Sequence, residues 1–270
     1  MKAIKEVCVA GRTIDVTLKL SSGGHGSKRR MRKNRTSEAV RANNDRLAVK
    51  NLARLLNANF GEGDIHLVLT YRGDPPSEEQ AKKDRSNYIR RLRRKGFEIK
   101  AVAVAEKGEH GRIHHHLVIK GATAEELSQE WKEGWANIKY LDGSGDYTKL
   151  AEYLIKETSS RIREPDAVFK KRYACFGKLI RPVVKREEIS ISDLFETSDP
   201  EPIKGYYIPK DSIRRFEHPV TGIEHLEYRM IALDEPRKYK QWPRGKKVKP
   251  REYFKIDYEE EQEDLFDLLF

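Results

Sequence analysis

Cysteine is nearly absent from this chain: Cys8 and Cys175 are the two among 270 residues. They stand far apart and form no C-x-x-C pair, which excludes a disulfide framework and a thiolate zinc cluster and points to a reducing cytoplasm. Long apolar runs are missing as well. No stretch approaches the roughly 20 residues that cross a bilayer, and no basic helix carries a clean lipid-facing stripe. Residues 1–20 lack the apolar core and small-residue cleavage site of a signal peptide. No membrane partner is expected, and no internal repeat is apparent. Acidic residues are outnumbered: 43 Asp and Glu face 54 Lys and Arg, a net charge of +11. That balance calls for a polyanionic partner, and nucleic acid leads because phosphate neutralisation supplies most non-specific affinity.

The pattern along the chain gives its organisation. Residues 3–20 alternate loosely and suggest a hairpin turning at Ala10-Gly11-Arg12. Residues 21–35 read as a flexible basic arm, with Arg29, Arg30, Arg32, Lys33 and Arg35 as candidate phosphate contacts. An amphipathic helix is expected over 36–59, with Val40, Leu47, Leu52, Leu55 and Leu56 on its apolar face. Residues 65–71 read as a strand. A helix over 77–95 has the capping pair Ser77 and Gln80, the stop Gly96, and a second basic cluster in Arg90, Arg91, Arg93 and Arg94. Strands at 99–106 and 113–120 predict an antiparallel hairpin. The pair Thr123 and Glu126 opens a helix expected to reach Trp135, and a last helix is expected over 147–158. Trp131 and Trp135, at helical spacing, are expected in the core, although these two and Tyr71 are also of a type that stacks on bases.

This order predicts an α+β fold: a mainly antiparallel central sheet with flanking helices, plus a small C-terminal extension containing β-structure. The expected division is a domain over 1–185, a linker over 186–202, an accessory β-rich region over 203–256 and an acidic tail over 257–270.

The densest chemistry lies in Gly111-Arg-Ile-His-His-His-Leu-Val-Ile119. Alternate side chains of a strand point to opposite faces, so His114 and His116 share one side while His115 joins Ile113, Leu117 and Ile119 on the apolar side. If the hairpin pairs so that residue numbers sum to 220, Glu106 falls opposite His114 on the ligand face. Two imidazoles and a carboxylate suit Mg²⁺, Mn²⁺ or Zn²⁺. On the last helix, Tyr147 joins the core stripe of Ala151, Leu154 and Ile155, whereas Tyr153 falls off it. Lys149 and Lys156, four before and three after, lie on its own face. Cations beside a phenol favour its anion and can hold a phosphate.

Together these pieces resemble the HUH endonuclease family of rolling-circle replication initiators and relaxases. The His-hydrophobic-His motif corresponds to His114-His115-His116, with histidine where the family has a bulky apolar residue. The Tyr-x-x-Lys motif corresponds to Tyr153-Leu-Ile-Lys156, and the first strand motif to Leu67-Val-Leu-Thr70. The resemblance, over about residues 28–185, is strongest to single-tyrosine replication-associated proteins of phages and plasmids. It implies a palm-like HUH fold, a divalent cofactor (Mg²⁺ or Mn²⁺) on His114, His116 and Glu106, and single-stranded DNA with an origin hairpin as substrate. Tyr153 would be the nucleophile, Lys156 its catalytic partner and Lys149 a DNA contact. The setting implied is the cytoplasm of a bacterial or archaeal host. A transposase or relaxase of a mobile element shares the same pattern, and a non-catalytic nucleic-acid-binding regulator is the alternative from another class. Gln262-Glu-Asp-Leu-Phe266 resembles the peptide that docks replication proteins on the sliding clamp, the second expected partner.

Overall fold

A computed structural model of the chain describes residues 2–21, 38–108, 112–159, 168–195, 199–217 and 223–233. The basic arm with Arg29, Arg30, Arg32, Lys33 and Arg35, the clamp-type peptide Gln262–Phe266 and the acidic tail lie outside the described residues. In chain order the elements begin with β1 (Lys2–Ala10), β2 (Thr13–Ser21), α1 (Glu38–Asn57), β3 (Ile65–Tyr71), α2 (Glu78–Arg94), β4 (Lys100–Lys107) and β5 (Ile113–Lys120). They continue with α3 (Ala124–Glu130), β6 (Gly134–Tyr140), α4 (Thr148–Ser159), β7 (Ala174–Phe176), β8 (Lys185–Ile189) and α5 (Ile191–Phe195). Then come β9 (Tyr206–Tyr207), β10 (Arg214–Glu217) and β11 (Glu224–Ala232). The class is α+β, as the pattern predicted.

The chain divides into two compact units. One comprises residues 1–9, 14–27 and 183–270, the other 10–13 and 28–182. The expected boundary near 185 therefore holds on its C-terminal side, but the N-terminal hairpin is grouped with residues beyond it. The reason is a strand pairing that a linear reading does not reveal. β8 lies inside the stretch read as a linker and pairs antiparallel with β1, Ala3 opposite Ile189 and Val7 opposite Lys185. The first unit is thus a sheet in the order β10-β11-β2-β1-β8, with β9 on β11. Its core is Val7, Val9, Ile14, Val16 and Met230. The hairpin turn expected at Ala10-Gly11-Arg12 is present, with Gly11 at φ 58°, a backbone state that glycine reaches without strain.

The second unit is a five-stranded sheet in the order β6-β3-β5-β4-β7, with β6–β3, β3–β5, β5–β4 and β4–β7 all antiparallel. Strand alternation gives it two different faces. Val102, Val104 and Val118 pack with α1 and α4 through Leu52, Leu56, Leu154 and Ile155. Leu67, Leu69, Leu117 and Ile119 pack with α2 and α3 through Tyr88, Leu92 and Leu127. Both faces of the central strands are buried, so these strands read as nearly continuous apolar runs.

Three sequence expectations need correction. Leu52, Leu55 and Leu56 are buried on α1, but Val40 and Leu47 are exposed. α1 has 20 residues and its packing partner α4 has 12. At 1.5 Å per residue they span about 30 and 18 Å, so α4 cannot cover the whole stripe. Helix α3 stops at Glu130, not Trp135: Trp131 caps it and is buried, while Trp135 sits on β6 and is 56 % exposed. Gly134 sets that register, because a Cβ there would lie 2.0 Å from the Thr70 carbonyl oxygen. Finally, the Thr123–Glu126 capping box is complete, whereas at Ser77 only half forms. Gln80 there spends its side chain on Asp84, at 2.7 Å.

Candidate metal centre

The register of the central hairpin decides the site. β4 and β5 pair with Glu106 opposite His114 and Val104 opposite His116, the arrangement in which residue numbers sum to 220. Glu106, His114 and His116 thereby share one sheet face. One donor atom from each lies within 4.8 Å of the others, the only such group among the described residues. Two donors each about 2.1 Å from a common ion sit roughly 3–4 Å apart, so this cluster fits a divalent cation with little side-chain movement. His116 Nε2 and Glu106 Oε2 stand 2.6 Å apart. That contact needs one shared proton, in the place a metal ion would take.

His116 is nearly fully buried, and Glu106 is partly exposed. The other ring nitrogen of His116, Nδ1, lies 3.4 Å from Nε2 of His66 on β3, with the two rings stacked at 5.6 Å. Burial, then the neighbouring His116 and Lys139, hold His66 down to about pKa 4, so it is neutral near pH 7 and its Nε2 can accept from His116 Nδ1–H. This orientation leaves the His116 Nε2 lone pair facing the cluster, the usual outer-shell role in metal sites. The sequence reading missed His66. Its parity was available, since His66, Val68 and Thr70 share one face of β3, but its proximity to His116 needed the β3–β5 register that sets Val68 opposite His116.

His115 goes where alternation predicted. It is fully buried on the opposite face, 3.1 Å from the Tyr71 hydroxyl and surrounded by the rings of Tyr71, Trp131 and Phe169. Burial, reinforced by the Arg85 charge, pushes it down to about pKa 3, and burial raises Tyr71 strongly. In an unfolded chain His115 protonates near 6.5, so between pH 6.5 and 3 the unfolded state binds the extra proton. Stability therefore falls as pH drops through that window. Urea unfolding at stepped pH is expected to show a slope in which His115→Leu removes up to about 1.4 kcal/mol per pH unit. An unchanged slope in the variant would refute this account.

Helix α4 brings Tyr153 to the cluster. Its ring packs edge-on against His116 at 5.4 Å, and it remains 43 % exposed. Lys149 and Lys156 are exposed on the same helix, while Ala151, Leu154 and Ile155 turn inward. Tyr147 is buried, its hydroxyl donating to the Asp142 carbonyl at 2.8 Å, and burial pushes it up to about pKa 12. Of the two tyrosines on this segment, Tyr153 alone faces the cluster.

The cluster Arg90–Arg94 is not brought to this site. It belongs to α2, on the opposite sheet face. Arg91 is spent on Glu133, at 3.1 Å, and on the Glu130 carbonyl, while Arg90 donates to Asn87. Arg93 and Arg94 are exposed.

The fold and site thus define an α+β protein with a two-histidine, one-carboxylate centre facing a helix-borne tyrosine. Residues 64–161, which include every one of those groups, match the family model of the ORF2-type replication-associated proteins. The match covers little more than a third of the chain. No curated protein and no solved structure matches it. Among the described residues, no helix is long and apolar enough to cross a membrane.

Proposed function

We propose that the second unit is a metal-dependent, single-strand DNA endonuclease of the HUH type, initiating rolling-circle replication through a 5′-phosphotyrosyl intermediate. The observation that carries this reading is the juxtaposition of the Glu106–His114–His116 cluster with Tyr153, whose ring lies against His116. The match to replication-associated proteins and the net charge of +11 support a nucleic-acid substrate.

His114, His116 and Glu106 would hold the ion, Mg²⁺ or Mn²⁺ by its oxygen-rich substrate. A bound divalent ion supplies Lewis-acid stabilisation of the charge that builds on the scissile phosphate. The Tyr153 oxygen attacks phosphorus and its proton passes to solvent. The P–O3′ bond breaks, leaving the 5′-phosphate on Tyr153 and a 3′-hydroxyl that a polymerase can extend. Lys156, and Lys149 one turn away, offset the developing negative charge and hold the phosphate. A later 3′-hydroxyl reverses the step and rejoins the strand, because the phosphotyrosyl bond conserves the phosphodiester energy. His66 orients His116 without touching substrate. His66→Leu is expected to weaken Mn²⁺ binding about 10- to 100-fold, with His66→Gln, which keeps an acceptor, recovering part of it. Calorimetric titration measures both, and an unaltered affinity in His66→Leu would remove the role.

The direct test mixes protein, Mn²⁺ and labelled hairpin oligonucleotides and resolves them on a denaturing gel. A covalent adduct that disappears with chelator supports the enzyme. Binding without an adduct across a library of hairpins would instead identify a non-catalytic regulator.

A further inference from the structure

The sheet face that carries the metal cluster continues past it onto β6, the edge strand, and there it is left open. In the β3–β6 register Trp135 stands opposite Thr70, Asn137 opposite Val68 and Lys139 opposite His66. Val68 in turn stands opposite His116. With strands about 4.8 Å apart, Asn137 lies roughly 10 Å from the His116 backbone across the sheet. Trp135, Asn137 and Lys139 are all exposed, while the alternate residues Gly134, Ala136 and Ile138 turn toward the other face. This row of aromatic, amide and ammonium groups begins where the catalytic residues end.

An open groove of about 560 Å³ joins the two regions. Its walls are Thr70, Gly73, Pro75, Arg112, His114 and Trp135, so one candidate metal ligand and the exposed indole line the same space. The volume suits a nucleotide-sized ligand. The Arg72 guanidinium lies 5.4 Å from the Trp135 ring and steadies it. The charges along this path are Arg72, Arg112 and Lys139, and the nearby Glu133 carboxylate is taken up by Arg91. An indole more than half exposed gains nothing from burial in its own fold, yet offers a flat surface to any base, whatever its identity.

We infer that the β6 strip is the track on which single-stranded DNA leaves the metal centre, with Trp135 stacking one base and Lys139 and Arg112 meeting phosphates. The inference deepens the nuclease reading and rests on it for the identity of the ligand. Stacking explains why the strip needs an aromatic ring beside basic groups: phosphate contacts alone would grip the backbone but would not hold a base next to the scissile bond.

The test uses the full chain in chelator, so no chemistry is required and failure of nicking cannot be mistaken for failure of this surface. Affinities are measured by fluorescence anisotropy at low salt for two probes, oligothymidylate of about 12 nucleotides and an abasic backbone of the same length. The ratio of the two dissociation constants isolates the contribution of the bases. That ratio is expected to shrink about 5- to 100-fold in Trp135→Ala and to be largely retained in Trp135→Phe. Lys139→Ala is expected to weaken both probes alike and to lower the salt slope by about 0.7, one phosphate contact on a single strand. Equal ratios in wild type and Trp135→Ala, or no measurable binding of either probe at low salt, overturns the inference. A ratio that collapses equally in Trp135→Phe also overturns it, because the indole would then serve the fold of β6 and not a base.

Discussion

Tyr153→Phe is expected to abolish the covalent protein–DNA adduct and with it nicking, a loss of roughly 10⁴-fold or more, while single-strand binding in chelator stays unchanged. The argument is chemical and geometric at once. Removing one oxygen deletes the group that forms the bond to phosphorus, and loss of a covalent nucleophile costs rates of that order. The ring itself remains, so the edge-on contact with His116 is preserved. Because the side chain is 43 % exposed, stability is expected to move by no more than about 0.5 kcal/mol. Tyr147→Phe is the matched control. That hydroxyl is committed to the Asp142 carbonyl, and adduct formation is expected to survive its removal. An adduct that persists in Tyr153→Phe would transfer the nucleophile elsewhere and break the reading.

Glu106→Gln and His114→Ala form the second test. Glutamine keeps the shape of the side chain and can still hydrogen-bond His116, but it loses the anionic donor. His114→Ala removes a ligand that is partly exposed, so the core is not disturbed. Each is expected to weaken Mn²⁺ binding by more than the 10- to 100-fold that removal of an outer-shell partner such as His66 costs. Wild-type affinity is expected to fall as pH is lowered, because the imidazoles must be deprotonated to bind, and binding is expected to release protons. Calorimetry in two buffers of different ionisation enthalpy reads both quantities. An Mn²⁺ affinity that is indifferent to both substitutions would show that the cluster is an ion pair and nothing more.

Much of the candidate site was legible because it lies on one hairpin. Strand alternation separates His115 from its neighbours with no tertiary information, and the parity of 106 and 114 allows the facing carboxylate. Helical periodicity did the same for Tyr147 and Tyr153: one side of α4 is apolar, so one tyrosine goes in and the other stays out. His66 and Trp135 were not legible in the same way. Each acts across a strand boundary, and the β3–β5 and β3–β6 registers that place them depend on pairings between segments about 50 to 75 residues apart. Local propensity carries no record of such a register. Trp135 was also misassigned because Trp131 and Trp135 have the spacing of a helix face. The close approach of Gly134 to Thr70 overrides that spacing and starts a strand.

Composition and periodicity alone determined the α+β class, the polyanion-seeking charge, the split among the three histidines and the side of α4 on which Tyr153 lies. These follow from short-range geometry, the two-residue repeat of a strand and the 3.6-residue repeat of a helix. Tertiary structure alone decided that β1 closes on β8, that His66 backs His116, that α2 carries its arginines away from the metal face, and that β6 leaves an indole open beside His114. Those outcomes rest on which distant segments find each other, a choice made by burial of whole faces against one another and not by any single stretch of chain.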